Sequence, residues 1–242
     1  MRRILFEVPG LGYKVAGFSF ALAIACLGAL WLSGWRAKRE RIDPDYIYDL
    51  SIWLITGGFI GARAFFLMTH PGNVHSFLDV FKIWQGGIVF YGCIIGGLIG
   101  SFAHWFRKPI PFLAMADVVA PSLALGAAVG RVGCYLNGCC WGGLSSLPWA
   151  VRFPRDSFPW IPQLATHLIS PSSAQSLPIH PTQLYSAFDG LIILALLTAY
   201  FAFRKRDGEI MAELMLTYPV TRFLNEALRS DEPPVFAGMT MS

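Results

Sequence analysis

The sequence predicts an all-α fold, a polytopic integral membrane helix bundle, and three observations predict it. First, 55% of the 242 residues are hydrophobic and only 14% are charged, against about 25% charged in a soluble domain. Second, six runs are long and apolar enough to read as spanning helices. Third, basic residues gather in alternate short loops. A chain with mean hydropathy of +0.51 could not cover its surface with polar groups in water. The composition excludes an ordinary cytosolic enzyme, a disordered tail and a coiled coil. A net charge of +4, without one basic run, gives no reason to expect nucleic acid. The first apolar run is too long for a signal-peptide core, and no small-residue cleavage site follows it. Residues 1–242 are read as one transmembrane domain.

A spanning helix needs roughly 20 mostly apolar residues. Gly12 to Trp35 is the clearest run, with Lys14 at its edge. Tyr48 to Met68 follows, with Asp49 near one end and Arg63 near the other. Gln85 to Phe106 is apolar and Gly-rich, and Phe112 to Arg131 carries Asp117. Gln183 to Phe203 is apolar except for Asp189. Ile210 to Leu228 is weaker, because Glu213, Arg222 and Glu226 lie within it.

Orientation follows from Lys and Arg in the loops. The loops after the first, third and fifth spans hold nine: Arg36, Lys38, Arg39, Arg41, Arg107, Lys108, Arg204, Lys205 and Arg206. The other side spreads Arg2, Arg3, Lys14, Lys82, Arg152, Arg155 and Arg229 over far more chain. The nine-charge side is therefore read as cytoplasmic and the N-terminus as outward. Residues 132–182, between spans four and five, are too long for a plain connection. Rich in Pro, with Trp141, Trp149, Phe153, Phe158 and Trp160, they are read as an ordered outward-facing cap. Ser170 to Ser176 is its expected mobile part.

Arg63, Asp117, Arg131, Asp189, Arg222 and Glu226 fall inside spans, where a central charge costs at least about 2.5–3.5 kcal/mol. Arg222 and Glu226 are four apart and can pair on one helix face. Asp117 and Asp189 fit a purely structural role as well as a functional one. Arg63, Arg131 and Arg222 all lie toward the outward ends of their spans. Three guanidiniums at one depth repel unless an anion joins them, and in a bilayer the natural anion is a lipid phosphate. Glycines from Gly57 to Gly100 allow close helix approach. Gln85-Gly86-Gly87 at a span start could aim free N–H groups at an anion.

The stretch GRVGCYLNGCCWG, Gly130 to Gly142, resembles the signature of prolipoprotein diacylglyceryl transferases. Four further stretches agree with that family in order and spacing. These are GAR at Gly61 to Arg63 before IWQGG at Ile83 to Gly87, Asp117 leading into APSLALG, HPTQLY at His180 to Tyr185, and Tyr218 with RFLNEALR at Arg222 to Arg229. The resemblance covers roughly residues 12 to 238. It implies transfer of the diacylglyceryl group of phosphatidylglycerol to the lipobox cysteine of a lipoprotein precursor. Glycerol phosphate would leave, at the outer face of a bacterial inner membrane. The implied partners are phosphatidylglycerol, precursor signal peptides and membrane lipid, and no cofactor or metal is expected.

Carried over residue by residue, the family's motifs fall on Arg63, Gln85, Gly86, Gly87, Asp117, Arg131, Gly133, Asn137, Gly138, Gly142, Arg222, Glu226 and Arg229. Arg131 and Arg222 are the expected phosphate clamp. Glu226 would hold Arg222, and Asn137 would hydrogen-bond the glycerol or phosphate. The thiolate is the nucleophile, so a proton must leave. Where the family usually has a His as candidate base, this chain has Tyr91. A phenol with pKa about 10 serves as a base only if arginines lower that value, and otherwise donates a hydrogen bond. His180 is a second candidate for the proton, or a structural cap.

Cys134 and Cys139 stand where relatives commonly have Asn and Glu, and Cys140 follows. Three cysteines permit one disulfide, small-residue packing, or metal binding with a fourth ligand such as His180. The family usually has a seventh span, so the end at Ser242 implies a truncated product or a six-span protein. Two rival functions remain at this stage. One is a paralogue on the same scaffold with another lipid donor or acceptor. The other is a non-catalytic lipid binder, or a redox protein built on the cysteines.

Overall fold

The computed structural model describes residues 4–8, 13–69 and 89–231. Among them are two strands, β1 (Ile4–Val8) and β2 (Tyr13–Ala16), and seven helices. The helices are α1 (Gly17–Arg39), α2 (Pro44–Thr69), α3 (Phe90–Arg107), α4 (Phe112–Asn137), α5 (Trp160–Ala165), α6 (Thr182–Tyr200) and α7 (Glu209–Glu226). By length and composition, α1, α2, α4 and α6 are able to cross a membrane. The shorter α3 includes His104 and Arg107, and α7 carries four charged residues. Four of the six expected spans thus meet that mark.

Three boundaries correct the sequence reading. The first span was expected from Gly12, but Tyr13–Ala16 pairs antiparallel with β1 and the helix starts at Gly17. The fourth was expected to stop at Arg131, yet α4 runs to Asn137. A charge does not end a helix when its side chain has a cleft to enter. A left-handed residue does, and Gly138, at φ 84°, supplies it. The cap therefore begins at Gly138 rather than at residue 132.

The chain forms two compact units, residues 33–115 and residues 1–32 with 116–242. In the first of these, α2 packs on α3 through glycines spaced four apart. A methyl group at Gly57, Gly61, Gly92, Gly96 or Gly100 would strike backbone of the opposite helix. This is the small-residue packing that lets helix backbones touch. Lys108 Nζ pairs with Asp49 at 2.9 Å, and buried His104 lies against Tyr46.

In the other unit, α4, α6 and α7 share an apolar core of Ala120, Ala124, Ile193, Leu197, Ile210 and Leu214. Gly190 of α6 sits against Ala128 of α4, where a side chain would clash. Asp117 is fully buried. Its carboxylate accepts from Gly208 N (2.8 Å) and Met211 N (2.9 Å), and pairs with Arg204 at 3.2 Å. An α4 side chain thereby caps the N-terminus of α7, satisfying donors that a helix start leaves unpaired. That is the structural role for Asp117.

The cap is ordered by its own core. Phe153 and Trp160 are buried, whereas Trp149 and Phe158 stay exposed. Ser170 to Ser176, the expected mobile part, is tied to the cap core through residues 173, 174 and 176. Ser176 is fully buried and accepts from Phe153 N at 2.9 Å. Ser173 O accepts from Trp160 Nε1 at 3.1 Å, and Ala174 O from Arg155 N at 3.0 Å. Ser173 and Ser176 serve as hydrogen-bond partners for the cap core, whereas Ser170 and Ser172 bond to each other.

Candidate active site

The approach of Gly190 to Ala128 brings one turn of α4 beside one turn of α6. Arg131 lies three residues after Ala128, and Asp189 adjoins Gly190. With α7 they line a narrow cleft faced by Arg131, Ser186, Asp189, Tyr218, Arg222 and Asn225. Asn225 donates its amide to Asp189, joining α7 to α6.

Arg222 pairs with Glu226 at 2.7 Å, as the i,i+4 spacing predicted. The same Glu226 oxygen meets Arg229 at 3.3 Å. Arg229 also donates to both oxygens of Asp231, from Nε and Nη2, each at 2.8 Å. Burial alone would depress the pKa of Arg229, but the Asp231 bonds outweigh it, so the value is raised and the guanidinium stays charged. Arg131 and Arg229 both repel Arg222, and Glu226 attracts it. Among the described residues Arg131 has no carboxylate partner within ion-pair distance.

Arg229 is held from below by backbone. Residues 141–144 run between two segments. Gly142 N donates to His180 O at 3.0 Å, and His180 N to Gly143 O at 2.9 Å. On the other edge, Gly143 N donates to Leu228 O at 3.0 Å and Ser230 N to Trp141 O at 3.2 Å. A Cβ on Gly142 would meet His180 Cβ at 2.6 Å and Leu228 O at 2.8 Å. The signature Trp-Gly is thus a seat for the Arg229 segment.

A scan against family models matches residues 3–242 to the model described as prolipoprotein diacylglyceryl transferase. The chain belongs to the prolipoprotein diacylglyceryl transferase family. It is a multi-pass membrane protein by its apolar helices and its membership of this family of membrane enzymes. Curated relatives named phosphatidylglycerol–prolipoprotein diacylglyceryl transferase are similar along most of their length. The Clostridium tetani protein is 31% identical over 231 residues, 96% of this chain and 86% of the relative. The Thermosynechococcus vestitus protein is 33% identical over 234 residues, 93% and 83%. The Acaryochloris marina protein is 36% identical over 230 residues, 94% and 79%.

Of the site residues that the resemblance to this transferase family implied, Arg131, Arg222, Glu226 and Arg229 are brought together. Asn137 and Gly138 line a different pocket, against Phe153 to Ser157 of the cap. The His180 ring lies 3.3 Å through Nδ1 from Tyr185 OH, which also accepts from Trp149 Nε1 at 2.8 Å. Arg63 is half-buried on α2, its guanidinium 5.3 Å from the Phe66 ring. Tyr91 is exposed on the first turn of α3. Both belong to the unit of residues 33–115. Gln85, Gly86 and Gly87 lie outside the described residues. Sequence reasoning missed Asp231, whose Arg-x-Asp spacing was the available signal, and the Asp189–Asn225 link, which no local spacing announces.

Cys134, Cys139 and Cys140 are free thiols. Their sulfurs lie within 4.8 Å of one another. Hydrogen bonds from the Cys134 and Cys140 thiols hold the Cys139 thiol below the ordinary range.

Proposed function

We propose that this chain transfers the diacylglyceryl group of phosphatidylglycerol to the thiol of a lipobox cysteine in a lipoprotein precursor, releasing glycerol phosphate. One observation carries the reading: Arg131 and Arg222 face a single cleft, and of these two Glu226 pairs with Arg222, sharing its charge with Arg229. A lipid phosphate is the anion that would relieve the remaining repulsion. Planar guanidinium forks bind such an oxyanion well.

The reaction forms one S–C bond and breaks one C–O bond. The cysteine thiol loses its proton to the medium, and the thiolate attacks the glyceryl carbon that bears the phosphate. The C–O electron pair leaves with the phosphate, and Arg131 and Arg222 stabilise the charge that develops there. Glu226 acts as a positioning residue, fixing Arg222 directly and Arg229 from the other side. The family resemblance alone assigns to the same reaction Tyr91, as a hydrogen-bond donor, and Arg63, Gln85, Gly86 and Gly87, as lipid-binding residues. Asn137 hydrogen-bonds the glycerol or the phosphate, Gly138 and Arg229 belong to the substrate-binding set, and His180 is a second candidate for the thiol proton. The chain crosses the inner membrane six times, with the N-terminus and cap outward and the nine-charge loops cytoplasmic. No cofactor takes part in this scheme.

The test is a transfer assay in detergent with labelled phosphatidylglycerol and a lipobox peptide. Label on the peptide cysteine is expected for the wild type and for Tyr91→Phe, weakened in the latter. Arg131→Ala should lower transfer by about 10²–10³-fold, the scale of losing one transition-state donor. Wild-type protein that folds but leaves the peptide unlabelled would sink the reading and favour a paralogue with another donor or acceptor. Transfer untouched by Arg131→Ala would remove the clamp from the mechanism.

A further inference from the structure

We propose that Cys134, Cys139 and Cys140 form a three-sulfur site for a soft, thiophilic cation of the Cu(I) type. The transfer scheme above uses none of the three. They come from the last turn of α4 and from the turn after it. Gly138, at φ 84°, folds the chain back, so that Gly138 N and Cys139 N both donate to Cys134 O, at 2.8 and 3.2 Å. Cys140 then takes a positive φ of 58°, a conformation that a residue with a side chain seldom adopts. Two buried side chains at the start of α6 hold it there. Thr182 Oγ1 donates to Cys140 O and Gln183 Nε2 to Cys139 O, each at 2.7 Å. The backbone is fixed at both cysteines, so the sulfurs are gathered before any ligand arrives.

The dimensions suit coordination. A metal held about 2.3 Å from each of three sulfurs in a plane requires sulfurs about 4 Å apart. The three sulfurs lie within 4.8 Å of one another and are half-buried, so closure needs shifts below about an ångström on that estimate. Zinc takes four ligands, and among the described residues no His or carboxylate joins the cluster. The His180 ring, the fourth ligand considered from sequence, is engaged by Tyr185. Thiolates without a fourth ligand select a soft cation such as Cu(I). Each ligating thiol releases its proton to solvent as its S–Cu bond forms, and no electron is transferred.

The experiment uses the purified full chain in detergent under reductant, with Cu(I) supplied against a chromogenic Cu(I) chelator. One Cu(I) retained per chain is expected, with sulfur-to-copper charge-transfer absorption. X-ray absorption should give three sulfurs at about 2.3 Å. Cys139→Ser and Cys140→Ser should each weaken retention by at least about 100-fold, beyond the loss of an outer-shell partner. Cys26→Ser and Cys93→Ser should leave it unchanged. Loss of all copper to the chelator, a two-sulfur spectrum, or retention unaltered by Cys139→Ser overturns the proposal. If the serine variants aggregate, the sulfur count on the wild type decides alone.

Discussion

Replacing Asp117 by alanine would take from Arg204 its buried carboxylate partner and open two N–H groups at the start of α7 in a single step. Breaking a buried pair from one side costs about 3–5 kcal/mol. Asp117→Ala should therefore lower the thermal unfolding midpoint in detergent far more than Asp207→Ala, since Asp207 is half-exposed and lies 3.6 Å from Arg204. Glu226→Gln acts differently. It keeps the shape but removes the charge shared by Arg222 and Arg229, so transfer should fall by about 10-fold or more, in keeping with charge-assisted bonds being roughly twice as strong as neutral ones. The unfolding midpoint would be the control, and a loss of activity matched by a loss of folded protein would deny Glu226 a positioning role. The sequence revealed the Arg222–Glu226 pair because helical spacing places i and i+4 together. It could not reveal that Asp117 meets residues 204–211, because that contact depends on how α4 packs against α7.

At the level of elements, glycine spacing carries the clearest signal. Gly57 and Gly61 on α2, with Gly92, Gly96 and Gly100 on α3, define one stripe on each helix. Gly96→Leu should force those backbones apart. Overpacking of this kind costs typically about 1–3 kcal/mol, and the unfolding midpoint in detergent should drop accordingly, whereas Gly126→Leu, with nothing within 4 Å, should be silent. An equal effect at both positions would mean that the stripe is not a packing face. The cap was legible as an ordered element because its aromatics called for burial, and Phe153 and Trp160 obey. Its boundaries were not legible. Arg131 looked like a helix end by charge, but the cleft accommodates it and the left-handed Gly138 sets the end instead. The short β1–β2 pairing was hidden, because residues 13–16 read as continuous with the apolar run that follows.

For the whole molecule, the uneven basic loops predict an orientation that labelling can check. In intact cells, Ser172→Cys, at an exposed position of the cap, should react with a membrane-impermeant maleimide above the parental background. Arg206→Cys should react only after permeabilisation. The reverse pattern would invert the proposed topology. The class of fold was readable from composition because lipid replaces water as the solvent, and exposed Leu27, Trp31, Leu191 and Phe223 in one unit and Ile60 in the other meet that need. The pairing of distant segments was not readable, since it depends on backbone partners. The bonds among residues 141–144, 179–180 and 228–230 have a consequence for biosynthesis. A ribosome has to release the chain past Ser230 before Gly143 finds Leu228. Until then the Arg229 segment lacks its backbone seat, so this part of the fold closes only after α7 has been made.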